Sequence, residues 1–152
     1  MKINRRKIMS LAAVFLAFGT SPTRSANPAL PAITAYRNPG CGCCEKWAGM
    51  LQENGFALTM IDDADLATRR SAAGVPDDLA GCHTSFMGDY IIEGHVPLVD
   101  IMRLVIEAPK IKGLAVPGMP MGSPGMETEQ MPEHYDVVAF MVDGGRETFS
   151  SY

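Results

Sequence analysis

The stretch ITAYRNPGCGCCEKWAGMLQENGFALTMI, residues 33–61, decides the fold. Ile33 to Tyr36 is a short strand candidate, and Asn38-Pro39-Gly40 is a turn. From Cys44 to about Asn54 the apolar positions Trp47, Met50 and Leu51 recur at helical spacing. Gly55 stands where a glycine ends a helix, and Phe56 to Ile61 is a second strand candidate. Strand, turn, helix and strand in that order imply a right-handed parallel unit. A cysteine cluster at its first strand-to-helix turn points to a thioredoxin-like α/β fold.

Outward from there, Asp62 or Asp63 can cap a second helix that runs through Leu66 and Arg69 to Ala73 and is stopped by Gly74 and Pro76. Ser85 to Ile92 reads as a hairpin bent at Gly88-Asp89. Pro97 opens a third helix, Pro97 to Ala108, with Leu98, Ile101, Met102 and Val105 on one stripe and Pro109 as its stop. Residues 113–134 show no period and read as a long methionine-rich loop. Asp136–Val142 pairs with Glu147–Ser151 across Gly144-Gly145 as a terminal hairpin. The expected order is β-α-β-α-β-β-α, the loop and the hairpin, with helices flanking a central mixed sheet. There is no internal repeat.

The 152 residues make one domain, and 47% apolar with 20% charged residues is a globular composition. Residues 1–7 are basic and Ile8 to Phe18 is apolar except for Ser10, a run too short for the ~20 residues of a membrane span. With small residues near Thr23-Arg24-Ser25-Ala26, this reads as a secretory signal over residues 1–26. The alternative is a buried helix or an uncleaved anchor. Arg5-Arg6 leaves both the general and the twin-arginine export routes open. The expected location is therefore periplasmic or secreted, with residues 27–32 a short tether and residues 33–152 the folded domain. Without the first 26 residues, 8 bases face 17 acids, a net charge of −9. So acidic a domain suits cations and argues against phosphate backbones and anionic lipid. No nucleic acid partner and no stable membrane insertion are expected.

Three of the four cysteines fall in Cys41-Gly42-Cys43-Cys44, and the fourth is in Gly81-Cys82-His83-Thr84. In a thioredoxin-like fold the second segment runs beside the start of the first helix, so Cys82 should approach the trio. Amides at a helix N-terminus favour thiolates, and thiolates are soft ligands for Cu(I) and, less exclusively, zinc. Packed thiolates repel one another until a cation or oxidation relieves them. Two other readings stay open. Cys41 and Cys44 form a C-x-x-C redox pair, and structural disulfides, for example Cys41–Cys82, are conceivable. A plain redox pair does not need Cys43.

Of 11 methionines, Met119, Met121, Met126 and Met131 lie in the long loop. Thioethers are neutral soft ligands that resist oxidation to disulfides, so Met119 or Met121 could contact Cu(I). Alternatively they fill the open side of the sheet. Met50, Met60, Met102 and Met141 fall on regular elements and read as core. His83 is either a ligand, a donor to one, or a strand-edge residue. His95 reads as a cap for the third helix that could also reach the cluster if the loop folds over it, and His134 is the weakest candidate.

Tyr36-Arg-Asn-Pro-Gly-Cys-Gly-Cys-Cys44, Cys82-His-Thr84, Ile92-Glu-Gly-His-Val-Pro97 and Lys112-Gly-Leu-Ala-Val-Pro-Gly-Met-Pro120 together resemble the CopG-like copper-resistance family. The similarity runs from about residue 32 to the C-terminus. It implies a thioredoxin-like fold, export, and a multinuclear copper cluster, Cu(I) or cycling between Cu(I) and Cu(II). The ligands it implies here are Cys41, Cys43, Cys44 and Cys82. The implied partners are copper ions and exported proteins that donate or accept them. Whether the chain is an enzyme stays open between a copper oxidoreductase and a thiol-disulfide oxidoreductase.

Overall fold

The computed structural model describes residues 29–152. The expected signal over residues 1–26 lies outside the described residues, as does the start of the tether. The elements are β1 (Ile33–Arg37), α1 (Gly42–Glu53), β2 (Leu58–Asp62), α2 (Leu66–Ala73), a single 3-10 turn (Asp77–Leu79), β3 (His83–Met87), β4 (Tyr90–Glu93), α3 (Leu98–Glu107), β5 (Gly113–Ala115), β6 (Asp136–Phe140) and β7 (Arg146–Ser151).

All seven strands join one mixed sheet in the order β2-β1-β3-β4-β5-β6-β7. β1 is parallel to β2 and antiparallel to β3, β4 is parallel to β5, and the remaining neighbours are antiparallel. The α/β architecture with a mixed sheet is as expected and compatible with a thioredoxin-like arrangement. The alternation of strand side chains splits the core by face. Ile92, Leu114, Val137 and Ala139 pack with Trp47 and Leu51 of α1 and Ile101 and Leu104 of α3. Ile91, Ala115 and Phe140 turn the other way and pack with Val75 and Leu79.

Three sequence expectations are corrected. Residues 113–134 are not all loop. Gly113–Ala115 is a strand between β4 and β6, so the terminal hairpin extends the main sheet. Three residues are too few to show a period, which is why β5 escapes pattern reading. Neither Asp62 nor Asp63 is the N-cap of α2. Asp65 holds that position without a side-chain cap bond, and Asp63 instead accepts from the Asp65 amide and pairs with Arg69. His95 does not cap α3, whose N-cap is Pro97. The stop signals act as read. Gly55 takes φ +91°, and α3 ends at Ala108, left-handed at φ 44°, directly before Pro109, which disfavours the helical conformation in the residue preceding it.

Candidate metal centre

β1 delivers the chain to the cysteines, and Arg37 fixes the handover. Its guanidinium donates to the Cys41 carbonyl at 2.9 Å while pairing with Asp62 and Glu45. α1 begins two residues before the Cys44 start expected from periodicity, with Cys41 as N-cap, so Cys43 and Cys44 occupy its first turn. Cys44, Trp47, Ala48 and Leu51 share the buried face of that helix. Cys44 therefore points inward, while Cys43 stays half-buried.

Cys82 arrives from the other direction. Gly81 and Gly94 make this possible, because a Cβ on Gly81 would lie 2.6 Å from the Gly94 backbone. The peptide groups around Gly81 are held by one buried ion pair. Its N–H donates to Glu93 Oε1 at 2.8 Å, its carbonyl accepts from Arg70 at 2.8 Å, and Arg70 closes the loop on Glu93 at 2.6 Å. Thr84 donates to the second Glu93 oxygen at 2.6 Å. Burial pushes the Glu93 carboxyl up, against the opposing pull of Thr84, the Gly81 amide and Arg70. Sequence reading missed Arg70 and Glu93 as positioning residues. The only trace was Glu93 inside the Ile92–Pro97 motif.

The result is convergence of all four sulfurs. Cys82 Sγ lies 3.0 Å from Cys41 Sγ, 3.3 Å from Cys43 Sγ and 3.2 Å from Cys44 Sγ, and Cys41 and Cys43 are 3.4 Å apart. Cys41 and Cys44 are joined as a disulfide, and Cys43 and Cys82 are free. The Cys41–Cys82 bridge considered from sequence does not form. Burial, then the hydrogen bond with Cys43, pushes the Cys82 thiol up to about 12. The helix-terminus argument for easy thiolates therefore does not extend to this residue, which sits on no helix. A cation bound there has to displace its proton, and affinity then rises with pH. The four sulfurs form a group whose spacing suits a shared metal, with the Cys41–Cys44 pair available once reduced.

The histidines lie deeper. His83, the first residue of β3, is fully buried, with its ring 4.1 Å from Trp47 and 5.2 Å from His95. Burial, then His95, pushes it down to about 3. His95 is also buried, and its Nδ1 lies 2.7 Å from the Pro124 carbonyl. His134 is exposed, near Asp136.

The long loop does fold over the start of α1. Gly125 packs so closely that a Cβ there would fall 2.7 Å from the Cys43 carbonyl and 3.1 Å from the Trp47 amide. A cleft of about 580 Å³ opens beside Cys43, lined by Lys46, Glu45, Met126 and Glu127. Its methionine is Met126, not Met119 or Met121. Met119 is 54% exposed, and it follows Gly118, which forms a parallel bridge with Gly81 next to Cys82. Met121 is half-buried, and neither methionine belongs to the packed core. A smaller cleft against Met87, Tyr90, Val105 and Ile111 holds no thiol or imidazole.

Residues 79–126 match a family described as a protein of unknown function, DUF411. Two solved structures, "Copper resistance protein copG- Form 1" and its Form 2, are each 40% identical to the chain, cover 81% of it and 98% of their own length, and superpose with TM-scores of 0.76 and 0.77. The chain belongs to the CopG family. Comparison with curated proteins gives no match. The DUF411 segment carries Cys82, His83, Glu93, His95 and Gly125, so the part of this CopG relative covered by the family description is the segment that meets the Cys41–Cys44 turn rather than the turn itself.

Proposed function

We propose that this chain is an exported copper-binding protein of copper resistance, periplasmic or secreted. In its reduced form Cys41, Cys43, Cys44 and Cys82 bridge several Cu(I) ions. Bridging shares each thiolate charge between cations and relieves the repulsion of four crowded sulfurs. The observation that carries this reading is the approach of Cys82 to all three other sulfurs within 3.3 Å. Kinship to proteins named for copper resistance selects copper over the zinc that tetrathiolate sites also hold. The loop that packs Gly125 on Cys43 shields the cluster, and the cleft lined by Cys43 and Met126 is the path for exchange with donor or acceptor proteins. Met119 and Met121 stand earlier in the same loop as secondary contacts. Metal analysis of protein purified without oxygen tests the reading. Several copper ions per chain are expected; a single copper rejects the bridged cluster, and less than one rejects the reading altogether.

A second reading has its own observation, the Cys41–Cys44 disulfide at the head of α1. It makes the chain a thiol-disulfide oxidoreductase. In that case a Cys43→Ser variant keeps full dithiol turnover, independent of metal. In the copper reading the same variant loses copper. Cycling of the cluster between Cu(I) and Cu(II) belongs to the first reading and is read by electrochemistry of the loaded protein.

A further inference from the structure

Met131 is the most exposed large apolar side chain among the described residues, at 89%. It packs in neither core cluster, and neither does Met121, so gap-filling explains neither residue. A single exposed methionine is ordinary on a surface, but the backbone brings a second thioether beside this one. The N–H of Glu133 donates to the Met121 carbonyl at 2.9 Å, and the Met121 N–H donates to Glu133 Oε2 at 2.9 Å. Next to this link, Pro132 lies so close to Gly122 that a Cβ on the glycine would fall 2.5 Å from the proline ring. Residues 121–122 and 132–133 thus run side by side in opposite directions. Met121 stands across from Glu133, and Met131 is its diagonal neighbour. Diagonal neighbours on paired segments lie about 7–8 Å apart, within reach of long side chains. We propose that Met121 and Met131 form a Cu(I) position of their own on the solvent side of the loop, with the Glu133 carboxylate balancing the charge of the ion. This rests on the copper reading above and gives the contact at Met121 a site separate from the cysteines.

The donors suit the ion. Two thioethers are soft, neutral ligands that favour Cu(I) over zinc and harder cations. Metal–sulfur bonds of about 2.3 Å put two such sulfurs at most about 4.6 Å apart, a gap that the flexible methionine side chain closes by rotation. Neutral donors leave the ion its full positive charge. The Glu133 carboxylate, fixed beside Met121 by the amide of that residue, offsets it. Glu127 and Glu129 add to the negative field, and residues 126–133 carry no lysine or arginine. A thioether also has no proton to lose and forms no disulfide. The position therefore stays open to Cu(I) while Cys41 and Cys44 are joined and the four-sulfur cluster cannot assemble.

The test uses the full chain carrying Cys43→Ser and Cys82→Ser, with the Cys41–Cys44 disulfide kept, so that no free thiol competes. Its methionine methyl groups are labelled with carbon-13 and followed by NMR during titration with silver(I) nitrate, a soft monovalent ion that air does not oxidise. The methyl signals of Met121 and Met131, assigned from Met121→Leu and Met131→Leu chains, are expected to move together and to saturate at one silver per chain. Met131→Leu changes an exposed side chain and should leave the Met121 methyl unmoved at that ratio. Glu133→Gln, whose amide oxygen can still accept from Met121, should weaken silver binding about tenfold. Silver that moves other methionines only, or that moves Met121 equally with and without the Met131 sulfur, overturns the proposal. Absence of these shifts from a chain that loads Cu(I) on its cysteines overturns this inference alone. A native chain that takes up no Cu(I) overturns the copper reading and this inference with it. If the double serine chain fails to fold by circular dichroism, native mass spectrometry of the reduced native chain decides: Met131→Leu is expected to lose one copper, and an unchanged count overturns the proposal.

Discussion

One ion pair holds the peptide groups on both sides of Gly81, and through them the position of Cys82. Arg70 and Glu93 are 14% and 0% exposed at their side chains. Breaking such a pair from one side leaves a charge stranded in the interior, which costs about 3–5 kcal/mol. Arg70→Met is therefore expected to lower stability by about 3 kcal/mol in urea unfolding, with copper uptake falling in parallel. Arg70→Lys keeps the charge but not the fork that reaches both Glu93 and Gly81, and should fall between. Unchanged copper uptake in a folded Arg70→Met chain would show that Cys82 does not need this clamp. None of this was legible in the sequence. Cys41, Cys43, Cys44 and Cys82 stand out by spacing and residue type, but Arg70 is an ordinary helix arginine until the fold brings it to Glu93. His95 misled for the same reason. A histidine two residues before Pro97 looks like a cap, yet its ring turns inward to a carbonyl 29 residues away.

At the scale of elements, the loop after β5 is held to α1 by contact with Gly125 rather than by regular structure. Gly125 takes φ +87° against the Cys43 carbonyl, so a side chain there is both strained and obstructed. Gly125→Ala is expected to cost more than about 1 kcal/mol, because alanine resists this conformation. It should also lift the loop. Copper removal by a chelator would then be several-fold faster than in the native chain when followed by stopped flow. Equal rates would mean that the loop does not cover the site. The three helices and the two hairpins were legible because glycines and prolines mark their ends and apolar residues mark their faces. Gly113–Ala115 was not, since its strand character comes from β4 and β6 on either side. Periodicity alone starts α1 at Cys44 because Gly42 and Cys43 carry no apolar period, although they complete its first turn.

At the scale of the molecule, the cysteines meet beside β1 and β3, and β7 forms the far edge of the sheet. Tyr152 stacks on Tyr135 at 5.2 Å and donates to Asp100 at 2.7 Å, tying β7 to α3. Burial, then this hydrogen bond, pushes the Tyr152 phenol up from 10.0 to about 12. The folded chain thus keeps a proton that the unfolded chain has lost. The stabilisation from this group is complete below pH 10 and disappears as pH rises through 10 toward 12. The gap in Tm between the native chain and Tyr152→Phe should narrow over that range, and a constant gap would contradict the assignment. The acidic balance of residues 27–152 was legible in the composition, and the meeting of sulfurs 38 to 41 residues apart was legible once the fold class was read. The proposed copper function depends on that meeting, and native mass spectrometry of the anaerobically reduced full chain during titration with Cu(I) tests it most directly. The account predicts discrete species with more than one copper per chain, reduced to one or none in Cys82→Ser; saturation at a single copper, or the same copper count with and without the Cys82 sulfur, would contradict it.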